Sequence, residues 1–482
     1  MGEVSLNNGN AKYERIPFGS EMLKQFLFDP AYKNLNHGSF GAFPRVIRDA
    51  QRVFQDECES SPDEFIFYKY PKFLDESRAA AAKLLDVPVD TVVFVSNATL
   101  GVNTVLRNIQ WHEDGRDEVI YFSTIYGACG KTVTYLCEST RNLVQARTVT
   151  LNYPLSDASV LEGFKKAITA SRADRKVPRL AIFDTISSVP GIRMPFEGLV
   201  KICAEEGILS LVDAAHGIGQ IPLSLSTLQP DFFVTNLHKW LFVPRGCALL
   251  YVPFKNQALM RSSLPTSHSF TPLVKGPRSL NGFPPNTKTG FVNNFEFVGT
   301  IDNSNYLVAA EAIKWRQEAC GGEEAIHDYC TKLVKEGGKL VADILGTKIL
   351  DYEEHGLTDC FMINVLLPLA LTPTSAAVPD ADKPAAHFHT VKEEHSFLVR
   401  HWAHRTLVDD YKTYIFLYFS RGQWWARLSA QVYLEMSDFE WAGRTLKEIC
   451  ERVGKEEFLV SSLDKEVEAL EKGVEGVGLA EA

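Results

Sequence analysis

Two residues of this chain, Lys239 and Asp213, have the types and the spacing to do chemistry together. Asp213 closes the apolar run ILSLVD and opens the turn DAAHGIGQ. A carboxylate at the end of a buried strand needs a cationic partner to stay ionised, and a protonated pyridine nitrogen is one such partner. Alone, an acid in this position could equally cap the following turn. Lys239, in DFFVTNLHKWLFVPRG, follows 26 positions later (239 − 213), about one crossover to a neighbouring strand end, so both side chains can reach one ligand in the same crevice. A lysine set among His, Trp, Leu and Phe in a strand-end turn is partly desolvated. Desolvation lowers its pKa and leaves a nucleophilic amine able to condense with an aldehyde.

Other residues add a phosphate to that ligand. His238 and Asn236 flank the lysine with hydrogen-bonding groups. In VVFVSNATLGVNTVL, a strand passes through a polar turn into a helix, which places Asn97, Ala98 and Thr99 at a positive helix end. The same turn also reads as an ordinary helix cap. Tyr126, in FSTIYGACG after the next strand, could stack its ring on a flat cofactor or could simply be core. The segment GACGKT at 127–132 invites comparison with a nucleotide-binding P-loop, but that loop needs Gly five positions before Gly130, where Ile125 stands. GIG at 217–219 is too short for a dinucleotide fingerprint.

The elements that must position these residues are legible as alternating patterns. TVVFVS, EVIYFS, RLAIFD, ILSLVD, DFFVTN and CALLYV read as strands, separated by helical GVNTVLRNI, CGKTVTYLCEST and FEGLVKICAEEG. Such alternation predicts a largely parallel sheet with helices on both faces, and ligands bind beyond the carboxyl ends of its strands. Residues 311–346 predict one or two long helices interrupted at Gly321–Gly322, a hinge into a second unit. Beyond it, LALTPTSAAVPDADKPAAHF predicts a loop, YIFLYF and WARLSAQVY predict strands, and SDFEWAGRTLKEICERVG a helix. The charged last residues predict a frayed helical tail.

Bulk composition narrows the partners. With 482 residues, 45% of them hydrophobic, the chain can bury a large core, and its net charge of −10 gives no basic excess for nucleic acid or an anionic membrane. No apolar run approaches the roughly 20 residues needed to span a bilayer. Nine cysteines without a CxxC pair predict reduced thiols, with neither a disulfide framework nor a metal site. The expectation is a cytoplasmic enzyme acting on a small molecule. MGEVSL matches an acylation pattern only loosely and offers no second anchor.

The set DAAH, HKW and upstream NAT resembles the class V aminotransferase-like group of fold-type I enzymes that use pyridoxal 5′-phosphate (PLP). LNHGSFGAFP, SNATLGVNTVLRN, TIYGACGKT, HKWLFVPRGCA, FEFVGTIDNS and WARLSAQVYLEMSDFEWAG are similar, more specifically, to fungal hercynylcysteine sulfoxide lyases of ergothioneine biosynthesis, and more distantly to isopenicillin N epimerases. The resemblance runs over residues 17–455. It implies an α/β fold-type I transferase whose large domain, 35–318, has a mainly parallel sheet sandwiched by helices. A segment 1–34 would precede it, and a smaller α+β C-terminal domain, 319–460, and a charged tail, 461–482, would follow.

The resemblance also implies roles. Lys239 would carry the cofactor, Asp213 would hold the pyridine N–H, His216 would lie at the ring's oxygen face and Tyr126 near the ring. Ala98, Thr99, Asn236 and His238 would bind the phosphate, joined by Thr300 from a second subunit of a homodimer. Arg427 would clamp the carboxylate of an amino-acid substrate bordered by Asn36, His37 and Phe40. The implied activity is β-elimination by a carbon–sulfur lyase, converting a cysteine S-conjugate or sulfoxide, above all hercynylcysteine sulfoxide to ergothioneine with pyruvate and ammonia. Its trimethylammonium group would favour aromatic faces such as Phe40, Tyr126 or Trp424. Relatives often carry glutamine where this chain has His216, and the stretch 368–395 is individual; both bear on substrate identity. Epimerase and transaminase chemistry remain open. A desulfurase needs a thiol on a mobile loop, and 368–395 contains none. Outside enzymes, the alternatives are a scaffold that has kept the fold or a nucleotide binder using GACGKT; neither needs Lys239, Asp213 and Arg427 together.

Overall fold

The computed structural model describes residues 12–274, 283–351, 356–372 and 387–459. The N-terminal acylation-like motif, the charged tail and the middle of the Pro/Ala-rich stretch lie outside these residues.

Seven strands form the first sheet: β1 (Val92–Val95), β2 (Asp117–Phe122), β3 (Val144–Val149), β4 (Val177–Asp184), β5 (Leu209–Asp213), β6 (Phe232–Asn236) and β7 (Ala248–Tyr251). Their order is β1-β7-β6-β5-β4-β2-β3. Strands β3, β2, β4, β5 and β6 pair in parallel, and β7 runs antiparallel to both β6 and β1. The continuous apolar runs follow from burial on both faces. Side chains alternate between two cores. Val93, Val119, Ile182, Leu211 and Val234 face one, with the helices Ala98–Asn108 and Gly127–Ser139; Phe94, Ile120, Phe183, Val212 and Phe233 face the other. GACGKT lies within the second of these helices, so it forms no phosphate loop.

The unpredicted strands were hidden for identifiable reasons. VQARTV of β3 is a sheet edge whose middle residues alternate toward solvent, so it has no apolar run. The second sheet, ordered β10-β11-β8-β9, contains β8 (Met362–Leu371), β9 (His389–Val391), β10 (Phe416–Ser420) and β11 (Gln423–Ser429). Pro368 interrupts the strand pattern of β8, and the register against β11 shifts there, between Gln423 and Trp425. The expected 368–395 loop therefore begins as strand and, near its other end, carries β9, which pairs in parallel with β8, followed by a 3-10 turn at Glu393–His395.

The helices Ala309–Glu318 and Glu323–Leu345 flank the predicted break, where Gly321 and Gly322 take φ of 79° and 94°. The second helix packs with Met436–Gly454 and β8 into a separate layer. The described part of the N-terminal segment, residues 12–34, is tied to distant parts of the chain. Gly19 N–H donates to Val432 O at 2.8 Å and Lys33 N–H to Lys412 O at 3.1 Å, so it straps onto the C-terminal unit.

Candidate active site

Strands β4, β5 and β6 end side by side in Asp184, Asp213 and Asn236, and Lys239 follows in a one-turn helix, Leu237–Trp240. The amine and the carboxylate thus rise from adjacent strand tips into one crevice. Lys239 Nζ lies 2.9 Å from His216 Nε2. Burial pushes the amine down to about 8, against the pull of Asp213. Asp213 accepts the Ala215 N–H at 3.0 Å on one oxygen and the Cys129 thiol at 3.5 Å on the other. Burial raises its pKa, and among the described residues it has no ion-pair partner.

The backbone under Lys239 is tightly fitted. Gly41 has φ of 66°, and a Cβ there would fall 1.8 Å from the His238 carbonyl oxygen. Gly219 is also tightly packed, its Cβ position 2.8 Å from the Trp240 oxygen. A one-turn helix leaves carbonyls without helical partners. His37 Nε2 meets the Lys239 oxygen at 2.6 Å, and Arg316 donates to the Trp240 oxygen at 2.7 Å.

The helix start offers a small anion cup. Asn236 Oδ1 accepts the Ala98 N–H at 2.9 Å, and Asn97 Oδ1 accepts that of Leu100 at 2.8 Å. The Ala98 amide expected for phosphate is therefore engaged already, while among the described residues Thr99 keeps its N–H and hydroxyl free and Asn236 its amide nitrogen. His238 donates from Nδ1 to the Cys247 carbonyl at 2.8 Å, so its neutral ring presents Nε2 as an acceptor. It becomes a phosphate donor only on gaining a second proton, which burial opposes by pushing the ring down to about 4.

Arg427 reaches the crevice from β11 and is 1% exposed. It donates to Ser188 O at 2.6 Å, Ser39 Oγ at 2.8 Å and Asn36 Oδ1 at 3.1 Å. All are neutral acceptors, its Nε has no partner, and burial pushes its pKa down to about 10. Among the described residues no carboxylate pairs with it. A buried guanidinium without an anion is built to receive one.

Asn36 thus touches Arg427, and Phe40, 68% exposed, follows Ser39 at the rim. Tyr126 caps the helix that carries Cys129 and is half exposed. Two expected residues sit elsewhere than their roles require. His37 is fully buried, bonded to Tyr433 and the Lys239 carbonyl, and so lies beneath the site rather than against a substrate. Trp424 is on the opposite face of β11 from Arg427, buried against Phe419, which removes it as an aromatic face for a cation. Thr300 lies in an exposed turn and makes no hydrogen bond to the other candidates within one chain.

Asp184, Ser39, Ser188, Cys129 and Trp240 join the site without having been singled out. Only Asp184 carried a signal, as a strand-ending acid like Asp213, its Cα partner in the sheet. Burial and the neighbouring Asp213 raise its pKa well above the carboxylate range. Among the described residues no cluster of His, Cys, Asp or Glu could hold a metal.

Comparison with known proteins agrees with this architecture. The aminotransferase class-V family matches residues 64–365, and the chain belongs to that family. It is 42% identical to an L-cysteine desulfhydrase-like protein, lolT2, of Epichloe uncinata, over 91% of this chain and 95% of the relative. It is 30% identical to the hercynylcysteine sulfoxide lyase of Schizosaccharomyces pombe, over 91% and 99%. The cystine C–S lyase C-DES shares the fold at a TM-score of 0.63 and 18% identity, over 87% of this chain and 97% of that one.

The protein is a PLP-dependent enzyme of the class-V group, and its named relatives place it with the carbon–sulfur lyases there. Its residues fit the cofactor: Asp213 is a buried carboxylate lacking a cation, Lys239 a depressed amine, and Thr99 an open N–H and hydroxyl at a helix start. Asp213 would hold the ring nitrogen, Lys239 the aldehyde carbon, and Thr99 with Asn236 the phosphate.

Proposed function

We propose that the enzyme breaks the Cβ–S bond of an L-cysteine-derived amino acid by β-elimination, with hercynylcysteine sulfoxide as its substrate. The observation that carries the amino-acid part is Arg427, a buried cation without an anion, in the crevice that holds the amine. Bound PLP supplies an electron sink that acidifies the substrate Cα–H. Arg427 takes the α-carboxylate and orients that bond. Lys239, favoured as the free base by burial, removes the Cα proton at Nζ. Asp213 keeps a positive charge on the ring nitrogen, and His216 lies within reach of Nζ to stabilise or relay the proton. Sulfur then leaves Cβ. From a sulfoxide it departs as a sulfenic acid, which a thiol reductant converts to ergothioneine, and the remaining three carbons hydrolyse to pyruvate and ammonia.

The hercynylcysteine reading is supported by the sequence motifs, by the 30% identical lyase, and by Phe40 and Tyr126 at the rim, where a trimethylammonium group would find aromatic faces. A second reading, free cysteine as substrate, is supported by the 42% identical desulfhydrase-like relative. We place the enzyme in the cytoplasm as a homodimer, with Thr300 of each subunit completing the other's phosphate cup. Incubation of holoenzyme with hercynylcysteine sulfoxide, L-cysteine, alanine and a penicillin-type substrate, followed by pyruvate release, tests the assignment. Preference for the sulfoxide is expected; preference for cysteine moves the assignment to desulfhydrase, and pyruvate from neither ends the lyase reading.

A further inference from the structure

Three donors and acceptors in the crevice form a chain whose direction is fixed by chemistry. Trp240 Nε1 lies 3.2 Å from His216 Nδ1, and His216 Nε2 lies 2.9 Å from Lys239 Nζ. Trp240 and His216 are both buried. An indole N–H can only donate, so Nδ1 must offer its lone pair. A neutral imidazole carries one N–H, which is then on Nε2 and points at the amine. The amine must accept it, and only a free base has a lone pair to do so. An ammonium at Lys239 would need the lone pair at Nε2, forcing a proton onto Nδ1 against the indole N–H.

We propose that Trp240 is a positioning residue that fixes the proton of His216 on Nε2, so that His216 donates to Lys239 and favours its free-amine form.

The indole cannot easily turn away. Its ring meets Phe361 edge-on at 5.7 Å, and Gly38 leaves it room, since a Cβ there would lie 3.1 Å from the indole. Arg316, paired with Glu323 at 2.7 and 2.6 Å, holds the Trp240 carbonyl. The other charged or titratable groups facing Lys239 are Asp213, Asp184 and Cys129 from the large sheet side, Arg427 from β11, and His238 beside it. The two acids favour the ammonium; the Trp240–His216 chain opposes them by geometry.

Trp240→Phe keeps the ring shape and removes only the N–H. The rate at which apoenzyme captures PLP, followed by the cofactor's absorption band across pH, reads the free-amine fraction. The wild-type midpoint is expected near 8, and Trp240→Phe should raise it by about one unit, a roughly tenfold slower capture below the midpoint. In a His216→Gln background the amide donates without tautomerism, so adding Trp240→Phe should leave the midpoint unmoved. No shift in Trp240→Phe, or an equal shift in both backgrounds, overturns the proposal. Should the variant fail to fold, nitrogen NMR of the wild-type full chain decides alone. With His216 assigned by loss of its signal in His216→Gln, a protonated Nε2 supports the chain, and a protonated Nδ1 in the neutral ring refutes it.

Discussion

Replacing Arg427 with glutamine removes the guanidinium charge that the crevice offers to an amino acid's carboxylate. In the free protein this guanidinium is held by Ser188, Ser39 and Asn36, all neutral, so the variant breaks no ion pair there. Glutamine can keep one or two of those contacts. The substrate complex loses far more, because a buried, charge-assisted and bidentate pair becomes a single neutral hydrogen bond. Truncating one partner of such a pair costs about 2–4 kcal/mol, or roughly 30- to 700-fold in affinity. The carboxylate keeps its charge between ground state and transition state, so most of the loss should fall on KM, with a smaller fall in kcat because the Cα–H bond is less well oriented. Steady-state pyruvate release measures both. A decarboxylated amine analogue used as inhibitor gives the control, since its affinity should be the same in both proteins. KM within about threefold of wild type, or loss of the PLP band, would refute the carboxylate role.

Lys239→Ala should abolish pyruvate release and the absorption band of covalently held PLP, read by spectrum after dialysis; a retained band would show that another amine carries the cofactor. Asp213→Asn should weaken PLP binding by about 2–3 kcal/mol, some 30- to 150-fold, measured by fluorescence titration of apoenzyme. Gly41→Ala places a Cβ 1.8 Å from the His238 carbonyl at a left-handed φ, so it should disturb the lysine turn and lower both Tm and PLP content. His404 accepts the Leu417 N–H, and burial pushes its pKa down to about 4 from 6.5. Its unfolded ring gains a proton below pH 6.5 while the folded ring stays neutral, so its contribution is complete above 6.5 and declines as pH falls toward 4. His404→Gln should flatten the pH dependence of unfolding free energy in that window by up to about 1.4 kcal/mol per pH unit, seen in urea melts.

The strand-end positions of Asp213 and Lys239 were readable in the order of residues alone, because hydrophobic runs of a doubly covered sheet and the turns after them are local patterns. The same held for the helix break at Gly321–Gly322 and for the C-terminal helix. Where neighbours in space are far apart in the chain, that reading stopped. The polar edge strand β3 and the Pro-bearing β8 acquire strand character only from their partners. Asn36, Ser39 and Ser188 converge on Arg427 from the short helix around residues 36–40 and the turn after β4, and none of their side chains has a local signature of that meeting.

Amino-acid order thus determined which chemical groups stand at the carboxyl edge of the sheet. Tertiary structure decided which of them face one another: it put His37 beneath the lysine rather than beside a substrate, turned Trp424 to the far face of β11, and set Trp240 against His216. The reason is that strand periodicity is written into each segment, whereas the identity of a buried partner depends on which segments become neighbours when the sheets close.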